Sequence, residues 1–369
     1  MRIVLTGGGT GGHIYPAAAV GKQLQEENPE TELLYIGTSK GLESRIVPAL
    51  GIPFEAIEIT GFRRKLSFDN VKTVARFIRG VARSKELLRK FKPDAVVGTG
   101  GYVCGPVVYA AAKLGIPTLI HEQNAIPGLT NKFLARYVDS VAVSFKESEP
   151  YFAKAKHTFY AGNPCATHVL RAEASRGLAS LGLPRDSRMV LMVGGSRGAK
   201  AFNDVLVDMA PHLQRLAGVH FVFVTGEHYY ESTMDRLRSV QPALSNHIHI
   251  LPYLNNMPEV LAASQLVISR SGASSLAEMT ALGLPSLLIP SPNVTNNHQE
   301  ANARSLVEAG ASEMLLEREL SGQALLDRMT AIIGDAKRLK AMSEAAAKLG
   351  VPDSASRITA RLKQLSSSR

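Results

Sequence analysis

Residues Ile3–Gly12 read IVLTGGGTGG, an apolar run that empties into a turn where five of the six residues Gly7–Gly12 are glycine. No other feature limits the fold so tightly. A short run of β-branched and apolar residues favours a strand. Glycines lack Cβ atoms and let the chain reverse at once, and the stretch behind them, Tyr15–Glu27, is helix-forming. A strand, a glycine turn and a helix open a parallel α/β sheet. Val190–Ala199 reads VLMVGGSRGA and repeats the scheme near mid-chain. Any two such starts look alike, so the echo is weak by itself, but it favours two similar halves.

The remaining pattern agrees. In the first half, strands are expected at Arg2–Thr6, Leu33–Gly37, Ala95–Gly98, Thr118–His121 and Ser140–Val143, with helices at Tyr15–Glu27, Leu42–Leu50, Asn70–Lys90, Gly105–Leu114 and Gly128–Tyr137. In the second half, strands are expected at Met189–Val193, His220–Thr225, Ile248–Leu251, Leu266–Ser269 and Ser286–Ile289, with helices at Ala199–Arg215, Ser274–Ala281 and Gln299–Ala309. Strands alternating with helices imply βαβ units, and 369 residues suit two domains. The expected architecture is α/β, with two Rossmann-like doubly wound parallel-sheet domains. Turn residues at Tyr160–Pro164 (YAGNP) place the join there. The expected domains are 1–162 and 163–340, followed by an Ala- and Lys-rich helical tail, 341–369.

Bulk properties narrow the class. The two cysteines, Cys104 and Cys165, belong to no Cys-x-x-Cys pair, so a disulfide framework and a structural zinc site are not expected and a reducing compartment fits. The N-terminus lacks the apolar run of a secretory signal, and no segment reaches the ~18 apolar residues of a spanning helix. A soluble or peripheral protein is expected. A net charge of +10, from 42 Lys+Arg against 32 Asp+Glu, suits an anionic partner such as a nucleotide, a nucleic acid or an anionic membrane surface.

Gly7, Gly9 and Gly12 formally match G-x-G-x-x-G. A dinucleotide site also wants an acidic residue about 20 residues on, at the end of the second strand. Here that strand runs into Gly37-Thr38-Ser39, so a nicotinamide dinucleotide is excluded. The loop offers instead a row of main-chain N–H donors backed by the positive end of a helix, a seat for a phosphate or diphosphate. The alternative is a tight turn with no ligand. His13 falls at the helix start, where an imidazole either caps and packs or takes a proton from an incoming hydroxyl. The second loop, Gly194–Gly198, offers its amides, the Ser196 hydroxyl and Arg197 to a nucleotide diphosphate. A helix end that neutralises the charge makes a metal unnecessary. No Asp-x-Asp pair occurs in the chain, and no Walker-type G-x-x-x-x-G-K-[ST], which argues against an ATPase. Neither a metal nor a cofactor is expected.

Six stretches occur in order: Gly8–His13 (GGTGGH), Gly100–Gly105 (GGYVCG), His121–Asn131 (HEQNAIPGLTN), Gly194–Gly198 (GGSRG), Arg270–Glu278 (RSGASSLAE), and His298–Gln299 with Asn302-Ala303. Together they resemble the MurG family, bacterial transferases that add N-acetylglucosamine to undecaprenyl-pyrophosphoryl-N-acetylmuramyl pentapeptide. The resemblance implies a GT-B fold with the site in a cleft between the domains, and inverting transfer without an essential metal. It implies UDP-N-acetylglucosamine as donor, undecaprenyl-linked lipid I as acceptor and lipid II as product. By motif, Thr10, Gly11 and Gly12 approach the donor with His13 beside them as candidate base. Asn124 contacts the sugar, Ser196 the diphosphate, and the main chain of Leu254 the uracil. Gly272, Ala273, Ser274 and Ser275 line the phosphate end of a helix, Glu278 holds the ribose hydroxyls and Gln299 the sugar hydroxyls. Gly9, Gly100, Gly101, Tyr102 and Asn131 fall on the acceptor side.

These assignments make chemical sense. Small residues at a helix start admit a phosphate. A carboxylate one turn inside accepts from two vicinal hydroxyls. Without the family, Glu278 also reads as a solvated or salt-bridged surface glutamate. One departure concerns GNPCATHV: some family members carry an arginine near the position of Ala166, and no donor contact is assigned there.

Arg63–Lys92 holds eleven Lys/Arg and two acids, interleaved with Leu66, Phe68, Val71, Val74, Phe77, Ile78, Val81, Leu87, Leu88 and Phe91. An apolar stripe beside cations docks on an anionic leaflet. The plainer reading is an amphipathic helix whose apolar face is core. With a lipid-linked acceptor implied, peripheral contact with the cytoplasmic face of the bacterial inner membrane is expected, and no nucleic acid. The rivals are a glycolipid glycosyltransferase, a UDP-sugar epimerase, which needs no lipid, and a nucleotide-sensing or RNA-binding protein, which has no need of His13, Glu278 and Gln299.

Overall fold

The computed structural model describes residues 1–60, 68–195, 197–213, 216 and 218–367. Ser196, the cluster Arg63, Arg64, Lys65 and Leu66, and the side chains of Phe68 and Val71 lie outside the described residues. The chain divides into two compact units, Met1–Thr167 with Val351–Arg369, and His168–Gly350.

Among the described residues the first unit holds seven strands: β1 (Arg2–Thr6), β2 (Glu32–Gly37), β3 (Phe54–Ala56), β4 (Ala95–Gly98), β5 (Thr118–Glu122), β6 (Ser140–Val143) and β7 (Thr158–Tyr160). They pair in the order β3-β2-β1-β4-β5-β6-β7, every pair parallel. Helices α1 (Gly11–Glu27), α2 (Glu43–Ala49), α3 (Phe68–Phe91), α4 (Cys104–Lys113) and α5 (Leu129–Leu134) connect them. Alternate residues of a strand point to opposite faces. Ile3 and Leu5 therefore pack in one layer with Ile14, Val20 and Leu24 of α1, while Val4 packs in the other with Val107 and Val108 of α4. Strands covered on both faces read as continuous apolar runs, which is why they show in the sequence.

The second unit holds β8 (Arg188–Val193), β9 (Val219–Val224), β10 (Ile248–Leu251), β11 (Leu266–Ser269), β12 (Ser286–Leu288) and β13 (Ser312–Met314). Their order is β10-β9-β8-β11-β12-β13, again all parallel. Val190, Met192, Phe221, Phe223 and Ile268 form its core with Phe202 and Leu206 of the helix Lys200–Leu213 and Met329 and Ile332 of the helix Gly322–Ile333.

The division falls between Thr167 and His168 rather than at 162, and the expected tail 341–369 is not one piece. The helix Ala336–Leu349 stays with the second unit, whereas the helix Ser354–Ser367 belongs to the first. The reason is apolar: Ile358 and Leu362, one turn apart, are fully buried in the same layer as Ile14 and Leu24. Burying each side chain is worth about 1.5–3 kcal/mol. Lys363 and Thr359 then meet Glu27 of α1 at 2.6 and 2.9 Å.

In each sheet the winding reverses once. In the first unit the order turns at β1 and β4, in the second at β8 and β11. Open parallel sheets bind ligands beyond the carboxyl ends of the strands at such a switch point. The loops that follow these four strands carry the glycines and small residues singled out above.

Candidate active site

In the first unit, the loops after β1 and β4 touch main chain to main chain. Gly8 N donates to Gly100 O at 3.2 Å. Gly101 has φ +81°, and a Cβ there would lie 2.2 Å from Gly8 O. A Cβ on Gly100 would meet His13 Nδ1 at 2.9 Å. Glycine is required here by contact, not only by turn geometry. Tyr102 closes the edge, its ring 3.4 Å from where a Cβ of Gly9 would stand.

A buried carboxylate holds the turn from below. Glu43 is fully buried and accepts from Gly9 N at 3.2 Å, Thr38 N at 3.1 Å and Thr38 Oγ1 at 2.6 Å. Tyr35 OH donates to Gly7 O at 2.7 Å. Sequence reasoning passed over Glu43, because a glutamate in a first helical turn reads as ordinary dipole compensation. The available signal was its surroundings: a Cβ on Gly8, Gly37 or Gly41 would strike the Glu43 side chain.

Above this support Gly9, Thr10 and Gly12 are exposed. Thr10 is the N-cap of α1, and among the described residues no side chain caps the helix and no acid lies in its first turn. First-turn amides have no intrahelical acceptor, so Gly11 and Gly12 present N–H groups at a positive helix end. His13 is half-buried beside them, its Nδ1 2.9 Å from Thr99 O and 3.2 Å from Gln123 Oε1. Thr99 Oγ1 returns a bond to His13 O at 2.6 Å.

The HEQN stretch lies under the same loops. Glu122 is buried and accepts from Asn124 N, Gly128 N and Asn131 Nδ2 at 3.0, 3.1 and 2.9 Å, so it folds the turn that presents Asn124. Asn124 is half-buried at the surface of that turn. Asn131 is buried, with its NH2 committed to Glu122 and to His121 O at 3.1 Å. The structure thus places it as a post beneath the loops. His121 is fully buried, and desolvation lowers it to about 4.

In the second unit, the turn after β8 repeats the device. Gly195 and Gly198 have φ +102° and +72°, and a Cβ on Gly198 would lie 2.0 Å from Thr225 O. After β11 comes the helix Ala273–Ala281, whose N-cap Gly272 has, among the described residues, no side-chain cap and nothing within 4 Å of its Cβ position. Ser274 Oγ is buried without a partner among the described residues, and Ser275 is exposed. The approach to this helix end is pinned. Arg270 donates to Ile289 O at 3.1 Å and Pro290 O at 3.2 Å, pairs with Glu317, and lies 4.9 Å over the Phe202 ring. Ser271 Oγ donates to Gln299 O at 2.7 Å. Gln299 Oε1 accepts from Ser291 N at 2.8 Å, which leaves its NH2 as the group to offer.

Glu278 sits one turn into that helix. It has no hydrogen bond or ion pair among the described residues, and burial pushes its carboxyl up to about 7. A solvated surface glutamate would not titrate there. A desolvated carboxyl with no partner among the described residues is costly to ionise and is a candidate ligand contact. Leu254 is buried just beyond β10, beside exposed Tyr253. Among the described residues no cluster of three His, Cys, Asp or Glu could hold a metal ion. No helix among them is long and apolar enough to cross a membrane.

Residues 3–143 match the glycosyltransferase family 28 N-terminal domain, and residues 189–358 the C-terminal domain of the same family. A Bacillus subtilis (strain 168) protein is 52% identical over 365 residues, 99% of each chain, and is named UDP-N-acetylglucosamine–N-acetylmuramyl-(pentapeptide) pyrophosphoryl-undecaprenol N-acetylglucosamine transferase. The chain belongs to the MurG branch of glycosyltransferase family 28. A protein of the same name from Halalkalibacterium halodurans is 52% identical over 366 residues, 99% of each chain. The crystal structure of Acinetobacter baumannii MurG aligns with a TM-score of 0.77 at 28% identity, covering 98% of this chain and 99% of that one. The expected pair of parallel α/β domains of the GT-B class is therefore present. A Neisseria meningitidis UDP-GlcNAc 2-epimerase aligns with a TM-score of 0.71 over 99% of this chain and 100% of its own. At 15% identity that likeness is one of fold alone.

Proposed function

We propose that this chain transfers N-acetylglucosamine from UDP-N-acetylglucosamine to the 4-hydroxyl of the muramyl sugar of lipid I, making lipid II for peptidoglycan. The observation that carries this is 52% identity over 99% of both chains with a transferase of that name. The local chemistry supports roles for individual residues. The 4-hydroxyl oxygen attacks C1 of N-acetylglucosamine as the bond from C1 to the diphosphate breaks. The proton goes to Nε2 of His13, since Nδ1 faces two accepting oxygens. The departing UDP takes the bonding pair, and uncapped amides at Ala273–Ser275 with the turn at Gly194–Gly198 suit its diphosphate. Ser196, which lies outside the described residues, remains part of this proposal. Glu278 accepts from the ribose diol, the main chain at Leu254 meets uracil, and the Gln299 NH2 and Asn124 meet the sugar. Gly9, Gly100, Gly101 and Tyr102 receive the acceptor, while Thr10, Gly11 and Gly12 approach the donor.

The acceptor's lipid calls for a membrane-facing patch, and the first unit offers one. Leu87 and Leu88, in the C-terminal half of α3, are core, while Val74 and Ile78, one turn apart in its N-terminal half, are exposed. Phe77 packs edge-on against Phe133 of α5 at 6.2 Å between ring centroids, which joins these residues to exposed Leu129. Arg76, Arg79 and Lys132 supply positive charge around them. Peripheral binding at an anionic cytoplasmic leaflet follows.

Incubating the purified protein with UDP-N-acetylglucosamine tests the reading. UDP should appear only when a lipid-pyrophosphoryl muramyl acceptor is present. Acceptor-independent conversion of the sugar nucleotide to its 2-epimer would overturn it. His13→Ala should lower kcat by about 10²–10⁴-fold with the fold intact.

A further inference from the structure

Gln123 is buried, and acceptors around it decide which way its amide points. Its Nε2 donates to Thr99 O at 2.7 Å and lies 3.1 Å from both His121 O and His121 Nδ1. The reverse orientation would press Oε1 against two carbonyl oxygens in a buried place, where neither side can donate. The NH2 therefore faces β5, and Oε1 faces His13 Nδ1 at 3.2 Å. Two oxygens that can only accept, Thr99 O and Gln123 Oε1, then meet one ring nitrogen. Nδ1 must bring the proton, and the lone pair of the neutral ring sits on Nε2.

The same logic runs one step deeper. His121 Nδ1 accepts from Gln123, so its proton is on Nε2, which points at Gly162 O at 2.9 Å with Ser144 Oγ at 3.0 Å. Desolvation keeps His121 neutral through ordinary pH, so this arrangement does not reverse by protonation.

We propose that Gln123 and His121 are positioning residues for the transfer: the hydrogen-bonded chain Gly162–His121–Gln123–His13 fixes the tautomer and tilt of His13 and presents Nε2 as the proton acceptor. This rests on His13 being the base. Other acid–base sites orient the imidazole with a carboxylate, and losing it costs rate by admitting the wrong tautomer. Here the orienting group is a neutral amide whose own orientation is set by a buried histidine. It steers the ring without adding a full charge beside it.

Histidine 15N NMR of the labelled full-length protein tests this directly. His13, assigned as the resonance lost in His13→Ala, should be Nδ1-protonated, and His121 should be Nε2-protonated. Gln123→Leu leaves Thr99 O as the remaining acceptor at Nδ1, so it should keep the tautomer, loosen the tilt of the ring (a shifted His13 Nε2 resonance) and lower kcat about tenfold, the worth of one hydrogen bond, with KM for UDP-N-acetylglucosamine unchanged. Added to His13→Ala, it should cost nothing more in kcat. A wild-type His13 protonated on Nε2 would overturn the proposal, even if Gln123→Leu failed to fold. So would equal losses in kcat from Gln123→Leu in the wild-type and His13→Ala backgrounds, which would mark a merely structural role. If His13→Ala keeps its turnover while the wild-type tautomer is as expected, the base assignment fails instead.

Discussion

Replacing Glu278 by Gln separates the stability of the second unit from the hold on the donor proposed for this carboxyl. Burial raises the carboxyl from its ordinary 4.5 to about 7, with no hydrogen bond among the described residues to offset it. The folded chain thus binds this proton more tightly than the unfolded chain does. By linkage the contribution to stability is fully favourable below 4.5, declines as pH rises from 4.5 to about 7, and stays low above that. A rise of that size corresponds to roughly 3 kcal/mol in the alkaline limit, and partial solvent screening brings it to about 1–2 kcal/mol. Gln carries no such cost. Glu278→Gln should therefore melt a few degrees above wild type near pH ~8, at about 2–4 °C per kcal/mol for a unit of this size. Near pH ~4.5 the two should coincide.

Donor binding should move the other way. On the proposed reading the ionised carboxyl accepts from both ribose hydroxyls, and hydrogen bonds to a charged group are worth about 1.5–3 kcal/mol. Glu278→Gln should weaken UDP binding by about 10–100-fold at pH ~8. Calorimetric titration with UDP avoids the chemistry of His13. Wild-type affinity should fall as pH drops through about 7, whereas the variant should be weak and flat. Wild-type-like UDP affinity in the variant would refute the ribose assignment. Unchanged melting near pH ~8 would refute the desolvation argument.

Three other outcomes are expected. Glu43→Gln leaves buried donors at Thr38 and Gly9 competing for one oxygen, so it should cost about 1–3 kcal/mol in thermal unfolding and lower kcat with little change in UDP affinity. Gly101→Ala forces a Cβ to within 2.2 Å of Gly8 O at φ +81°, and turnover should be lost with a fall in melting temperature; an active, stable variant would show that the two loops need not touch. Ile78→Glu, on the exposed side of α3, should reduce sedimentation with anionic liposomes about tenfold while leaving transfer to a short-chain soluble acceptor unchanged.

The fold was legible where burial is two-sided. β1, β4, β8 and β11 are short, nearly uninterrupted apolar runs, and the glycines after β1 and β8 fix where each turn falls. The three-residue strands β3, β7 and β13 lie at the sheet edges and no expectation covered them, whereas the equally short β12, buried inside its sheet, shows as an apolar run. The return of the last helix to the first unit was also hidden. Its apolar positions Ile358 and Leu362 show a face, but a face does not name its partner. Motif order singled out Gly272–Glu278, because a helix start with small residues is a local feature, and the helix Ala273–Ala281 does begin there.

What stayed illegible at the site was the number of donors that reach each carboxyl. Glu43, Glu122 and Glu278 are the same letter, each inside or beside a structured turn. Glu43 is satisfied by donors from Thr38 and Gly9, the latter 34 positions away, and Glu122 by donors from Asn124, Gly128 and Asn131. Both accept from the chain itself and hold a loop in place. Glu278 is desolvated yet unpaired among the described residues, and its carboxyl is driven toward neutrality. On the proposed reading, the ribose hydroxyls of the donor supply the hydrogen bonds that its ionised form lacks. A satisfied buried acid builds a loop, and an unsatisfied one is a candidate for a ligand contact. That difference lies in how many donors reach each carboxyl, which tertiary contacts settle and sequence spacing does not.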